Sequence, residues 1–241
     1  MAHRKVRTVA LRPVDAKSVI AQLRQLALPR LRAEMESRYG IPSKKAFGVA
    51  MNRMQRVAKE CGRDHALAAA LWKSGWYEAR MVACMIDDPA QVTPVQMDRW
   101  CRDFDSWAIC DTVCFKLFDR SPHALAKVEQ WARGKDQGEF IQRGAFALLA
   151  CVALHDRELD DKPFLRLLPL VEKAAGDERN FVKKGLLWAL RGVGGRSPAL
   201  HAAVIELAGR LAESESPAAR WVGRNAIREL TKSAARSRPS P

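Results

Sequence analysis

No long hydrophobic run occurs in this sequence. None of its 241 residues fall in a stretch of 18 consecutive apolar side chains, which excludes a membrane-spanning helix. There is no CxxC pair and no signal-peptide pattern. The six cysteines (Cys61, Cys84, Cys101, Cys110, Cys114 and Cys151) sit mostly inside apolar helical patterns. They read as buried, reduced thiols of a cytoplasmic protein. Cys110 and Cys114, one turn apart, can reach a metal together with Cys101, but no His pair stands near them and core packing is the simpler reading. No metal or cofactor is therefore expected. No segment alternates apolar and polar residues well enough for a strand. Acids are missing from residues 1–12, which carry His3, Arg4, Lys5, Arg7 and Arg12, as a flexible basic arm would. His65, His123, His155 and His201 are scattered, without a matching acid or nucleophile in the sequence around them, and read as surface or loop-end residues.

What is present is positive charge. Lys and Arg number 41 against 27 Asp and Glu, a formal net charge of +14. Such a surplus favours a polyanionic partner, nucleic acid before membrane. The residues are 48% hydrophobic, enough to bury a core in one domain or one repeat array.

Pro and Gly punctuate a chain of short helices. Pro13 can open the first, Pro29 breaks or kinks it, and Gly40 stops a helix ending at Tyr39. Further helices are predicted over 48–61, 63–74, 76–86, 94–104 (capped by Thr93-Pro94) and from Ser106 onward. The series continues over 121–133, 139–155, 161–175, 178–193, 198–212 and 216–230. The expected organisation is a basic arm over 1–12, a helical domain over 13–231 and a disordered basic tail over 232–241.

The chain also repeats. Phe140-Ile141-Gln142-Arg143-Gly144 recurs 41 residues on as Phe181-Val182-Lys183-Lys184-Gly185, and 40 further on as Trp221-Val222-Gly223-Arg224-Asn225. Paired helices at that period predict an all-α fold of HEAT-like repeats, stacked into a curved solenoid. Aligning the registers puts Arg80, Asp111, Arg143, Lys184 and Arg224 in one slot, which predicts a basic concave face suited to phosphates. Asp111 is the exception. A carboxylate weakens phosphate binding, so it needs another task. Trp107, four residues earlier, shares its helical face.

These residues resemble the AlkD-like DNA alkylation repair family, the HEAT-repeat DNA glycosylases. The resemblance covers roughly residues 35–230. It rests on Ser106-Trp107 with Asp111, on Ile141-Gln142-Arg143, and on Phe181-Val182-Lys183-Lys184 leading to Trp188-Ala189-Leu190-Arg191. It implies that Asp111 is the catalytic carboxylate and that Trp107 and Trp188 flank the sugar and backbone of the lesion. Arg143 then binds a phosphate, and Lys183, Lys184, Arg191 and Arg224 are further DNA-binding positions. Met35-Glu36-Ser37-Arg38-Tyr39, followed by Phe47-Gly48, is similar to the family's N-terminal Tyr segment, which implies that Tyr39 approaches the damaged pair.

The reaction so implied is monofunctional hydrolysis of the N-glycosidic bond of N3- or N7-alkylated purines in duplex DNA, by a monomer and without a cofactor. The alkylated base is already cationic and leaves readily. A carboxylate then stabilises the oxocarbenium-like sugar and positions water. Indole faces add cation–π attraction of ~0.5–2 kcal/mol each. No Lys accompanies the cluster in sequence to act as a lyase nucleophile. The alternative is a non-catalytic HEAT scaffold binding nucleic acid or an acidic protein through the same basic face.

Overall fold

A computed structural model describes residues 15–134 and 138–236, with side chains as far as 232. The predicted arm over 1–12 and half of the predicted tail, 237–241, lie outside the described residues. Thirteen α-helices and one 3-10 turn account for the secondary structure of the described residues, with no strand among them.

Local chemistry sets each boundary. The predicted opening at Pro13 is outside the described part. Asp15 caps α1 (Ala16–Gln25), accepting from the Ser18 N–H at 2.7 Å while Ser18 Oγ accepts the Asp15 N–H, a reciprocal cap. Pro29 does not kink a helix. It occupies the first turn of α2 (Pro29–Tyr39), where its missing N–H has no partner to lose. Gly40 stops α2 at φ 61°, a left-handed conformation that glycine adopts without a Cβ penalty.

The third helix starts later than predicted. Gly48 has φ 82°, and the N–H groups of Phe47, Gly48 and Val49 all donate to the buried Glu78 carboxylate, Gly48 at 2.7 Å. This carboxylate nest holds residues 47–49 out of the helix, so α3 is Met51–Cys61. There follow α4 (His65–Lys73), α5 (Tyr77–Ile86), α6 (Pro94–Arg102) and α7 (Trp107–Lys116). Then come the 3-10 turn Phe118–Arg120, α8 (Ala124–Arg133), α9 (Glu139–His155), α10 (Lys162–Ala174), α11 (Asn180–Gly194), α12 (Pro198–Ala212) and α13 (Pro217–Arg236). The last helix continues past the predicted domain end at 231.

The helices form two layers of a HEAT-like solenoid. In one, α3, α5, α7, α9, α11 and α13 pack each against the next; in the other, α8, α10 and α12 do so behind them. One continuous core runs between the layers, with Trp72 stacked on Trp100 at 3.9 Å between ring centroids. Close approach of α11 to α9 depends on Gly192, where an added Cβ would meet the Ala150 backbone at 3.1–3.2 Å. A small separate cluster of Met35, Ile41, Ala46 and Ala108, against Trp107 and Tyr77, docks α2 and the loop after it onto α7.

All six cysteines are free, and only Cys61 is not fully buried. Burial pushes the Cys84 thiol up to about 12 and holds those of Cys101, Cys114 and Cys151 well above the ordinary thiol value, so these groups stay protonated and inert. The histidines depart from the sequence reading. His65 Nδ1 lies 2.6 Å from buried Asp87, and His155 contacts buried Asp119. Each acid is more than 20 residues away in sequence and reaches its His only through helix stacking.

Candidate active site

Trp107 opens α7, but not as the Ser106 cap suggested. Ser106 occupies the cap position without a side-chain cap bond, and its buried hydroxyl has no partner among the described residues. Position is fixed instead by the indole, whose Nε1 donates to the Tyr39 carbonyl at 2.8 Å. This brings Tyr39, exposed at the end of α2, beside Trp107 from 68 residues away.

One turn along the same face stands Asp111. Both its oxygens are engaged by one guanidinium: Arg143 Nε donates to Oδ1 at 2.8 Å and Nη2 to Oδ2 at 2.7 Å. The third arm, Nη1, donates to the Phe181 carbonyl at 2.8 Å. The Arg143 side chain is 8% exposed and that of Asp111 is 21% exposed. Phe181 is itself held at the start of α11, where its N–H donates to Glu139 at 2.9 Å. A carboxylate on α7, a guanidinium on α9 and a carbonyl on α11 therefore form one chain of bonds across three repeats.

Burial pushes the Asp111 carboxyl up from its ordinary value, and the hydrogen bonds and charge of Arg143 pull it back in part. Arg143 is likewise desolvated, and Asp111 more than offsets this, holding the guanidinium above its ordinary value. The pair is thus an ion pair with limited access to water, in which fork-to-fork bonding fixes the plane of the carboxylate.

The predicted slot of cations does not present a uniform phosphate track. Arg80 donates to the Asp103 carbonyl at 3.1 Å and lies over the Trp72 ring, and Arg143 is committed to Asp111 and Phe181. Lys184 and Arg224 are exposed, without an ion pair among the described residues. Lys184 Nζ stands 5.9 Å from the centroid of the Phe181 ring, and the Arg143 guanidinium stands 5.9 Å from the same centroid. The structure thus sets a lysine of α11 and the arginine that holds Asp111 beside one ring. Lys183 turns the other way, over the Trp221 ring at 5.7 Å. Arg191 pairs with Glu229 at 2.9 Å.

Trp188 is half-buried two turns beyond Phe181 on α11. It borders a cavity of about 290 Å³ between α9 and α11, with Ala150, Leu154, Arg157 and Arg191 among its neighbours and neither Asp111 nor Trp107 in the lining. Sequence reasoning missed Glu139, Phe181 and Glu78 as site builders. Phe181 lies in the repeated motif, where the recurring aromatic was the available signal; Glu139 stands just before that motif and has no acidic counterpart before the later copies.

The DNA alkylation repair enzyme family matches residues 19–230 of the chain. The chain belongs to that family. No curated protein matches it. A solved structure with a TM-score of 0.72 and 20% identity covers 90% of this chain and 96% of its own. That structure represents "a new family of proteins related to the HEAT-like repeat DNA glycosylases with affinity for branched DNA structures", and the likeness establishes the HEAT-like fold. Among the described residues of this family member, no helix is long and apolar enough to cross a membrane.

Proposed function

We propose that this chain is a monofunctional DNA glycosylase that hydrolyses the N-glycosidic bond of N3- or N7-alkylated purines in duplex DNA. The observation that carries this reading is the Asp111 carboxylate, held by Arg143 one turn from Trp107 on a partly open helix face. Departure of a cationic base needs little acid assistance. The barrier lies in the positive charge that grows on the sugar.

Asp111 opposes that charge at fixed geometry, and its lone pairs not used by Arg143 are free to orient the attacking water. Preorganisation of this kind is worth several kcal/mol where bulk water is restricted. Arg143 acts here as a positioning residue, since its donors reach Asp111 and Phe181. Trp107 and Trp188 supply indole faces, Tyr39 approaches the pair from the α2 side, and Lys184, Arg224, Lys183 and Arg191 serve the backbone.

A second reading is a non-catalytic binder of branched DNA, as described for the solved relative. It is favoured by the same ion pair, which neutralises Asp111 within the protein. Methylated duplex incubated with the protein, followed by chromatography of freed bases, separates the two. Release of 7-methylguanine or 3-methyladenine that disappears in Asp111→Asn supports the enzyme. No release, with tighter binding to a three- or four-way junction than to linear duplex, supports the binder.

A further inference from the structure

A second concentration of positive charge lies away from Asp111. A groove of about 400 Å³ opens where α3, α5 and α7 end, lined by Gln55, Lys59, Arg63, Met85, Lys116 and Arg120 among others. Lys59 and Lys116 stand in the last turns of α3 and α7. Arg63 pairs with Asp88 at 3.3 Å. Lys59, Lys116 and Arg120 have no ion-pair partner among the described residues; the Arg120 guanidinium donates to the Lys116 carbonyl at 3.1 Å, and Lys116 lies 5.2 Å from the Phe115 ring centroid.

Helix carbonyl ends attract cations, each end counting as roughly −0.5 of a charge. Three such ends offset about half of three unpaired cations. The remainder is like charge gathered in a concavity, where the local potential is focused and an anion is attracted. Long, flexible lysine stems over a floor containing Met85 suit a diffuse row of anionic oxygens.

The position of the groove says which anion. Trp107 and Asp111 occupy the first half of α7, and Lys116 its last turn. At 1.5 Å and 100° per residue, Lys116 stands ~7–8 Å along the axis from Asp111 and ~140° around it. Lys184 and Arg224 lie on the other side, on α11 and α13.

We propose that this groove binds phosphates of the duplex DNA backbone, so that the duplex is gripped on both flanks of Asp111. This rests on the reading that the chain binds DNA. It adds the surface on α3, α5 and α7 to the sites predicted from the repeat register.

The test measures binding of the full chain to an unmodified duplex by fluorescence anisotropy over a series of KCl concentrations. For the double variant Lys59→Glu/Lys116→Glu, binding weakens at least tenfold at low salt. The slope of log affinity against log salt falls by about two units, near 0.9 for each phosphate that is no longer neutralised. Lys59→Gln/Lys116→Gln shows the same slope change, and thermal melting confirms that both variants are folded. Lys173→Glu, on the exposed side of α10, controls for net charge. Wild-type protein that binds no DNA at low salt removes the DNA reading itself. Binding by wild type with an unchanged slope in both double variants overturns the groove alone, leaving its cations as partners of helix ends. An equal weakening in Lys173→Glu overturns it too.

Discussion

Arg143 holds Asp111 through two parallel hydrogen bonds of 2.7–2.8 Å, across 32 residues of chain. The fork fixes the carboxylate in one plane, and the remaining nitrogen ties it to the next repeat. Replacing the guanidinium by an ammonium keeps the charge and loses the fork. Arg143→Lys is expected to lower the base-release rate by roughly 10–100-fold with little change in duplex affinity, since ~1.4 kcal/mol corresponds to each factor of ten. Single-turnover rates set beside binding isotherms check it. An equal drop in both quantities makes Arg143 a phosphate contact instead.

The raised pKa of Asp111 gives a pH signature. In the proposed reaction its active form is the carboxylate, and burial raises the pH at which that form protonates above the ordinary 3.8. Base release therefore falls as pH drops, with a midpoint above 3.8. Arg143→Met removes the contributions that pull the value down, so the acid limb moves to still higher pH. Single-turnover rates between pH 4 and 8, on a lesion whose uncatalysed loss is subtracted, show the shift. An acid limb unmoved by Arg143→Met assigns that limb to another group.

Lys184 and Arg143 each stand 5.9 Å from the centroid of the Phe181 ring, which makes Lys184 the lysine on which to test lyase chemistry. Its side chain is exposed and not enclosed in an apolar pocket of the kind that activates a nucleophilic lysine. Borohydride added during turnover should trap no covalent protein–DNA adduct. A trapped band that vanishes in Lys184→Met would make the enzyme bifunctional.

Glu78 is expected to matter for stability more than any surface charge. It is fully buried and accepts from the N–H groups of three consecutive residues. Glu78→Ala leaves those donors without partners and opens a cavity. Unsatisfied buried donors cost about 1–3 kcal/mol each, with partial relief by water, so a total decrease of roughly 3–5 kcal/mol is expected in urea unfolding. Because the held loop leads back to α2, Tyr39 and the Trp107 contact loosen with it.

The fold was legible because its signals are local. Gly40 and Gly62 end helices, Pro94 and Pro198 begin them, and a motif spaced by about 40 residues reveals stacking without any contact being known. Trp107 and Asp111 shared a face by simple helical spacing. Their partners did not follow from spacing. Aligning registers places Asp111 and Arg143 side by side, but does not reveal that one neutralises the other. That depends on how far α7 and α9 sit from each other and on side-chain reach. The same limit hid Asp87 from His65 and Asp119 from His155. It also concealed the α3 boundary, where an acid 30 residues away draws Gly48 out of the helix.

Phe181 is grasped at both of its backbone polar groups, by Glu139 at the N–H and Arg143 at the carbonyl. Sliding or tilting α11 against α9 therefore moves the guanidinium, and with it the oxygens of Asp111. Bending the superhelix and aiming the carboxylate become a single mechanical coordinate. Under the proposed reaction, DNA that flexes the scaffold would tune the loss of its own damaged base, and a duplex too stiff to do so would dock without reacting.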